Sequence, residues 1–409
     1  MSEHGSEKKK LDLAALASIP LIMTLANSML IPVLPLMKKK LNISSVQSSL
    51  IITVYAGISI LCIPIAGYLS DRFGRKLVIL IGMAIAAIGG TVSWLAAWLM
   101  QDHAYSVILI GRLIQGIGAA GAFPIVLPLV GDMFRSEEEV SSGLGMIETS
   151  NTFGKVLSPI LGSALALIVW YMPLASIPVM SAISIAAVWF LVKTPNKDEE
   201  KVGLKQFMST VKKLLKDNRW LYAIFIIGGI LMFVMFAFLY YLSSVLEDHY
   251  HIEGIRKGLI LAIPLGAICL SSFVGGKLVG ENKPRMKWVT VIGGGIAAAS
   301  MLVCAIADTK SLVILIVIMF AGGAGIGAMM PSLDALITEG VEKKQRGTIT
   351  ALYSSMRFIG VASGPLTASA LGGKETLLFY LLTGTAICGA LIALFAIKPG
   401  RGKPKEQKS

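Results

Sequence analysis

Three polar side chains stand out inside one of the longest apolar tracts of the chain, in the segment ETSNTFGKVLSPILG that begins at Glu148. An ionisable side chain in hydrocarbon costs roughly 3 kcal/mol, so it usually faces a protein interior or a watery cavity. Glu148 and Lys155 are seven residues apart, which places them about 20° apart around a helix and about 10 Å apart along it. Asn151 falls on the same stripe. The spacing predicts a helix with one wet side.

The chemistry available to this stripe is proton binding. Glu148 is the acidic residue that lies deepest inside a predicted apolar helix, and such a carboxyl can bind or release a proton as a nearby cation approaches or leaves. Lys155 and Arg112, a guanidinium in another apolar run, are the candidate cations. We predict that these three residues take part in proton movement. The alternative is a static Glu148–Lys155 or Glu148–Arg112 pair that only orders the helices, although a seven-residue separation is too long for a direct Glu148–Lys155 pair along one helix.

The elements that must position these residues are membrane spans. Apolar residues make up 55% of the chain and charged residues 15%, with a mean hydropathy of +0.75, so a soluble globule could not be covered with polar groups. The fold class is therefore an all-α integral membrane protein. Apolar runs of about 18 residues or more predict twelve transmembrane helices, at 13–36, 47–69, 77–100, 106–131, 140–169, 173–193, 221–245, 256–279, 288–307, 311–336, 347–371 and 376–397.

The two halves of the chain are related in sequence. An offset of 206 residues places Gly154 over Gly360 and Asn151 over Arg357. Duplicated halves of six spans, with ligands bound near the midplane between them, are an architecture of transporters. We predict two pseudo-symmetric six-helix bundles with these boundaries: an N-terminal tail at 1–12, the first bundle at 13–193, a linker at 194–220, the second bundle at 221–397 and a C-terminal tail at 398–409.

The distribution of lysine and arginine predicts the orientation. With the N-terminus inside, the inner segments carry 27 of the 37 basic residues and the outer loops carry 7. This bias predicts a multi-pass protein of the cell membrane, of the bacterial plasma membrane, with both termini in the cytoplasm. It also accounts for the net charge of +13 without a nucleic-acid partner, since no basic stripe lies on a soluble domain. Lys38, Lys39 and Lys40 are exceptions, because they fall on the outer side. They either bind external anionic headgroups or are tolerated because the other basic residues determine the orientation.

Metal and catalytic sites of familiar kinds are not indicated. The four cysteines lie singly in apolar runs, and the histidines lie in a terminus or in short loops. The sequence contains no HExxH, no GxSxG and no ATP-binding loop. We therefore predict no enzyme activity, no metal and no cofactor, with a proton gradient as the energy source. A membrane-embedded enzyme and a sensor built on a transporter scaffold are the alternatives from other functional classes.

The loop GYLSDRFGRK between the second and third spans resembles the signature loop of the major facilitator superfamily, G-x-L-[ASG]-D-[RK]-x-G-R-[RK]. The resemblance implies a loop that governs the exchange between outward-open and inward-open states. It assigns that role to Asp71 and Arg72, with support from Gly67, Gly74, Arg75 and Lys76.

Three further motifs resemble the twelve-span drug:proton antiporters of the same superfamily. RLIQGIGAAGAFP implies a part in proton movement for Arg112 and Gln115; the alternative for Arg112 is a structural role in which it pairs with backbone carbonyls. LANSMLIPVLPLM resembles the first span of these antiporters, although Asn27 stands there without the acid that many relatives carry. The segment around Glu148 matches an antiporter motif that marks exporters, with small-residue departures such as Ser158; its positions are Gly145, Gly154, Ser158, Pro159 and Gly162. The small residues at four-residue spacing also predict a ridge for close helix packing.

The predicted function is export of amphiphilic small molecules in exchange for protons, of the multidrug type, by a protein that works as a monomer among membrane lipids. The alternative is a dedicated proton-coupled exporter or flippase of a lipid-linked or anionic metabolite. Two or three internal cations against one acid predict a cavity with net positive charge, which favours anionic or zwitterionic cargo. The residues predicted to line the cavity are Asn27, Tyr55, Gln115, Asn151, Tyr240, Tyr241, Arg357 and Phe358.

Overall fold

A computed structural model describes residues 2–133, 137–193, 220–279, 282–307, 311–340 and 346–397, with isolated positions between 209 and 216. Regular secondary structure in these ranges is helical and includes no strand, as the sequence predicts. The helices are α1 (Ser2–Ser28), α2 (Leu34–Leu41), α3 (Ser45–Phe73), α4 (Arg75–Leu99), α5 (Ala104–Met133), α6 (Glu137–Ile168), α7 (Met172–Leu191), α8 (Trp220–Asp248), α9 (Gly254–Val279), α10 (Lys283–Ile306), α11 (Leu312–Gly340), α12 (Arg346–Ala370) and α13 (Glu375–Ala396).

Eleven helical segments in the described ranges are long and apolar enough to cross a membrane. The predicted span at 347–371 corresponds to α12, which has 25 residues but does not meet the same measure of apolarity. Polar side chains such as Ser354 and Ser355 lower the mean hydropathy of this helix, and both are buried inside the protein. The linker predicted at 194–220 lies, apart from Trp220 and the isolated positions, outside the described residues, as does the C-terminal tail at 398–409.

The first span differs from its prediction. The sequence predicts a polar tail followed by one helix over 13–36, whereas α1 begins at Ser2 and a 3-10 turn at Ile31–Val33 separates it from α2. Pro32 and Pro35 cause the break, because neither has an N–H to donate to the preceding turn. The carbonyl of Leu30 instead accepts from the N–H groups three and four residues later, at 2.9 and 3.0 Å.

The helices form two bundles with the same packing scheme. In the first half α1 packs on α6 and α7, α3 on α5, and α4 on α5 and α7. In the second half α8 packs on α12 and α13, α9 on α11, and α10 on α11 and α13. The bundles meet mainly through α3 against α12 and α6 against α9, which are equivalent pairs under the repeat. The duplication predicted from the sequence is therefore present in the packing.

Glycines bring equivalent helices within each bundle into backbone contact. A Cβ on Gly82 of α4 would lie 2.7 Å from the carbonyl oxygen of Gly118 in α5. A Cβ on Gly293 of α10 would lie 2.6 Å from the carbonyl oxygen of Gly325 in α11. Small residues permit such approach between membrane helices, where van der Waals packing replaces the hydrophobic effect. These contacts hold the helices of each bundle close together.

The two bundles are joined by polar contacts at the end away from the chain termini, which the predicted orientation makes the outer end. Ser369 donates to the hydroxyl of Ser49 at 2.9 Å, and Thr53 donates to the carbonyl of Ala362 at 2.8 Å. Tyr240 of α8 donates to the carbonyl of Ser45 at 3.1 Å. The outer end is therefore closed in this conformation.

An ion triad reinforces the outer end. Glu247 of α8 accepts from Lys39 of α2 at 2.8 Å and from Lys257 of α9 at 2.9 Å. The Glu247 side chain is 4% exposed and that of Lys257 is 2% exposed, whereas Lys39 is 53% exposed. Lys39 thus has a carboxylate partner from the other bundle, which the sequence alone does not suggest.

Candidate functional site

The antiporter-motif face of α6 packs tightly on α1. A Cβ on Gly154 would lie 3.2 Å from the carbonyl oxygen of Leu21, and one on Gly162 would overlap the backbone of Met29. Ser158 is fully buried and donates to the carbonyl of Gly154. The ridge of small residues predicted from the sequence is confirmed as a helix-packing surface.

The ends of the same motif behave differently. Gly145 faces open space, with nothing within 4 Å of an added Cβ. Pro159 lies at the bundle interface, where its carbonyl stands against Gly258 of α9. The motif therefore makes two contacts, one with α1 within its bundle and one with the other bundle.

The polar stripe of α6 is held by a short hydrogen-bond chain. Thr24 of α1 donates to the side-chain oxygen of Asn151 at 2.6 Å, and the Asn151 amide donates to the Glu148 carboxylate at 3.1 Å. Asn151 is 3% exposed. Asn151 thus aligns Glu148 rather than facing open space.

Lys155, one turn further along the stripe, is 7% exposed and its Nζ has no hydrogen-bond partner among the described residues. Neither form of the static pair considered from the sequence is present, because Lys155 bonds to no carboxylate and Arg112 bonds elsewhere. A buried ammonium without a partner is costly unless an anion or water satisfies it.

A small cavity between the bundles receives Lys155. It offers room for about one water molecule and is walled almost entirely by apolar groups. The first bundle contributes the break after α1 and the Lys155–Pro159 turn of α6, and the second bundle contributes α8 and α9. The lining residues are Ser28, Ile31, Pro32, Lys155, Pro159, Met235, Phe236, Leu239, Leu261 and Leu265.

Two residues of the second bundle complete the charge cluster around Lys155. Arg357 of α12 lies 4.0 Å from the carboxylate of Asp334 in α11, and its guanidinium stands 5.5 Å from the ring centre of Tyr353. Arg357, Glu148 and Asp334 all lie close enough to Lys155 for their charges to interact with it. The cluster therefore holds two acids and two cations.

This balance corrects the predicted net positive charge of the cavity. The sequence places Asp334 near a cytoplasmic helix end, as a gate or surface residue, and counts Arg112 among the cavity cations. In the structure Asp334 joins the cluster, whereas Arg112 is enclosed within the first bundle. A cation with free bonding capacity is still present, since Lys155 lacks a partner.

Arg112 is held by neutral acceptors. Its guanidinium donates to the carbonyl of Ile51 at 2.8 Å, to the carbonyl of Ala26 at 3.2 Å, and to the side-chain oxygens of Gln115 and Asn27. The residue is fully buried. Arginine suits such a site because its five donors are fixed in a plane. The arrangement is that of a structural centre joining α1, α3 and α5.

The other predicted cavity residues lie in the first bundle, at the contact of α3 with α12, or at the outer end. The ring of Tyr55 lies beneath Arg112 at 4.4 Å and 6.4 Å from the ring of Phe358, at the contact of α3 with α12. Tyr240 bonds to the outer end of α3, and Tyr241 donates to Glu375 at 2.8 Å. Of the eight predicted residues, Asn151 and Arg357 are the two that the structure brings to the charge cluster.

The signature loop forms a compact set of ion pairs at the inner end. Gly74 has a φ of +96° and separates α3 from α4. Arg75 pairs with Asp132 of α5 at 2.7 Å and lies 3.6 Å from Asp71. Arg72, which the resemblance places beside Asp71 in importance, instead bonds to the hydroxyl of Tyr68 at 3.2 Å. The sequence places Asp132 near a cytoplasmic helix end, as a gate or surface residue, but does not identify it as the partner of Arg75.

The remaining loop residues also make defined contacts. Lys76 donates to the carbonyls of Trp189 and Val192 at the end of α7, at 3.0 and 2.7 Å. A Cβ on Gly67 would lie 4.0 Å from the Cβ of Ala351 in the other bundle. The loop is thus tied to α5 and α7, and its preceding turn lies on the bundle interface.

Comparisons with known proteins agree with this architecture. The family model described as "Major Facilitator Superfamily" matches residues 16–365 and 286–409. The chain is 50% identical over 388 residues to a bacillibactin exporter of Bacillus subtilis, covering 94% of this chain and 95% of that protein. It is 25% identical over 359 residues to the class C tetracycline resistance protein of Escherichia coli, covering 84% and 85%.

A solved structure shares the fold. The crystal structure of the human organic anion transporter MFSD10 superposes with a TM-score of 0.73 at 17% sequence identity, covering 94% of this chain and 99% of the human chain. At this identity the likeness concerns the arrangement of helices alone.

Proposed function

The chain belongs to the Major Facilitator Superfamily, and we propose that it exports one dedicated acidic metabolite by alternating access between its two bundles. As a member of this family it is a transporter and not an enzyme. Bacillibactin, the compound named for the relative with 50% identity, is the first candidate cargo. The 50% identity to this relative favours the dedicated exporter over the multidrug pump that the sequence analysis favours.

The observation that carries the proposal is the unpartnered ammonium of Lys155. The group is buried at the bundle interface beside an apolar cavity, whereas the other charges of the cluster have partners: Glu148 binds Asn151 and Asp334 faces Arg357. An acidic group on the cargo would satisfy Lys155, and apolar parts of the cargo would contact the surrounding walls. Opening of the inner end would enlarge this space to admit the cargo.

We propose the proton gradient as the energy source, with Glu148 as the proton-binding group. The acidic cargo would bind to Lys155 and the proton to Glu148, so the two do not compete for one binding group. Exchange of cargo for proton would therefore depend on a conformational change that lets the cargo and the proton bind in turn. It would not depend on the proton displacing the cargo from a shared group. The membrane potential must be separated from this effect, since exporting an anion from a negative interior is favourable by about 2.3 kcal/mol per charge per 100 mV.

The signature loop is proposed as the element that times this change. The Arg75 pairs with Asp71 and Asp132 tie α3, α4 and α5 together at the inner end, next to the contact of Gly67 with the second bundle. We further propose a monomer, surrounded by lipid in a bacterial plasma membrane, with both termini in the cytoplasm. Cysteine accessibility at the two ends of the helices tests that orientation.

The test uses purified protein in liposomes, with the pH gradient and the potential imposed separately. Bacillibactin and a panel of cationic drugs are loaded in turn, and their movement is measured by mass spectrometry. We compare the wild type with Lys155→Met, Glu148→Gln and, as control, Asp102→Asn, which removes an exposed acid in the loop between α4 and α5. The expected result is transport of bacillibactin that Lys155→Met abolishes and that Glu148→Gln uncouples from the pH gradient.

Two outcomes would contradict the proposal. Transport of several cationic drugs without bacillibactin would establish the multidrug function, which the 25% identical tetracycline resistance protein keeps as the second candidate. Bacillibactin transport that persists in folded Lys155→Met would exclude Lys155 as the group that binds the acid.

A further inference from the structure

Asp334 is the least expected member of the central charge cluster. Its carboxylate lies 4.0 Å from the guanidinium of Arg357 and is hydrogen-bonded by the hydroxyl of Tyr353. The side chains of Arg357 and Asp334 are 14% and 32% exposed, so the pair lies mostly inside the protein. The Tyr353 ring also stands beside the Arg357 guanidinium. Three side chains from α11 and α12 thus form one local unit.

This unit faces the polar stripe of α6 across the bundle interface. The charge of Lys155 interacts with those of both Asp334 and Arg357, and the charge of Glu148 interacts with that of Arg357. Arg357 occupies the position that the repeat equates with Asn151, so the two bundles present different groups at equivalent places. Lys155 lines the small cavity, whereas Arg357 and Asp334 are not among its lining residues and act on Lys155 through their charges. Without Asp334, the charge of Arg357 would add to that of Lys155, with Glu148 as the remaining acid.

We propose that Asp334 determines the charge of the cargo that the central cavity accepts. By neutralising Arg357, it leaves Lys155 as the cation that binds a single acidic group. Asp334 is a positioning residue in this scheme, because it acts through Arg357 and does not bind the cargo. The inference rests on the proposed binding of an acidic group by Lys155 and adds the reason for selecting one such group over two.

The experiment measures binding to purified protein with a matched set of pyrene probes that carry an alcohol, one carboxylate or two carboxylates. Fluorescence titration gives the affinity of each probe for the wild type, Asp334→Asn, Lys155→Met and the exposed-acid control Asp102→Asn. We expect the wild type to prefer the monocarboxylate. Asp334→Asn should free Arg357 and strengthen binding of the dicarboxylate by at least about tenfold, with the alcohol unchanged.

The outcomes separate this inference from the function on which it rests. Loss of carboxylate binding in Lys155→Met together with an unchanged charge preference in Asp334→Asn would overturn the role of Asp334 and leave the proposed function intact. Carboxylate binding that survives in Lys155→Met would overturn both. Should Asp334→Asn fail to fold, Arg357→Gln provides the converse test. Asp334 then loses its cation and neutralises Lys155 instead, so monocarboxylate binding should weaken by at least about tenfold, and unchanged binding would overturn the role of Asp334.

Discussion

Glu247→Gln should open the outer end of the protein. The carboxylate is 4% exposed and neutralises Lys257, which is 2% exposed, while also binding Lys39 of the other bundle. Removing one partner of a buried ion pair costs about 3–5 kcal/mol, because the other charge stays buried. The glutamine oxygen can still accept one bond, so we expect the lower value, about 3 kcal/mol. Since water can reach Lys257 once the end opens, the closed state should lose about 150-fold in population relative to the open state.

The assay is pulsed electron paramagnetic resonance on spin labels at positions 102 and 374. Both are exposed residues at the outer end, one on each bundle. The four native cysteines are replaced first, because Cys388 is exposed and would also be labelled. The expected result is a shift of the main distance to a longer value in Glu247→Gln, with the wild type retaining the short distance.

Two companion variants make the result specific. Glu253→Gln removes a 68% exposed carboxylate that lies 3.9 Å from Lys39, and such a pair contributes less than about 1 kcal/mol, so the short distance should persist. Adding Lys257→Met to Glu247→Gln removes the unpaired buried charge and should restore much of the closed population. An unchanged distance in folded Glu247→Gln would refute the role assigned to the triad.

Two substitutions probe the packing of the first bundle. Arg112→Lys should lower the free energy of unfolding by about 3 kcal/mol, since an ammonium cannot reach all the acceptors of the guanidinium. Its thermal unfolding in detergent is compared with that of Arg256→Lys at an exposed site, and equal melting temperatures would contradict the structural role. Gly162→Ala should reduce the melting temperature because its methyl group would overlap the backbone of Met29, whereas Gly145→Ala, which faces open space, should leave it unchanged or raised.

The helices themselves were predictable because their signal is local. A continuous apolar run of sufficient length reports a membrane span whatever its neighbours are. The break after α1 was indicated by Pro32 and Pro35, yet one span was predicted there because hydropathy does not register the missing N–H groups. The duplication was also predictable, because equivalent positions keep the same residue type where they make the same contact. Gly154 and Gly360 each pack on the first helix of their own bundle.

The composition of the charge cluster was only half predictable. Periodicity placed Glu148, Asn151 and Lys155 on one stripe, which the structure confirms. Asp334 was missed because its sequence position, near the end of a span, does not reveal which helix faces it. The resemblance of its motif to the antiporters assigns Arg112 to proton movement, and a structural role is the alternative. The bonds of Arg112 to backbone carbonyls of neighbouring helices favour that alternative. Only tertiary packing decides these cases.

The outer triad also constrains how the protein is made. Lys39 and Glu247 are 208 residues apart, so the ribosome has synthesised the whole first bundle before the partner of Lys39 exists. During that interval Lys39 opposes the proposed orientation, in which both termini are cytoplasmic. The orientation of the span must then depend on other basic residues. Lys39 gains its carboxylate partner only when the second bundle has been synthesised and inserted. The ion triad that closes the outer end can therefore form only after both bundles have been inserted and joined.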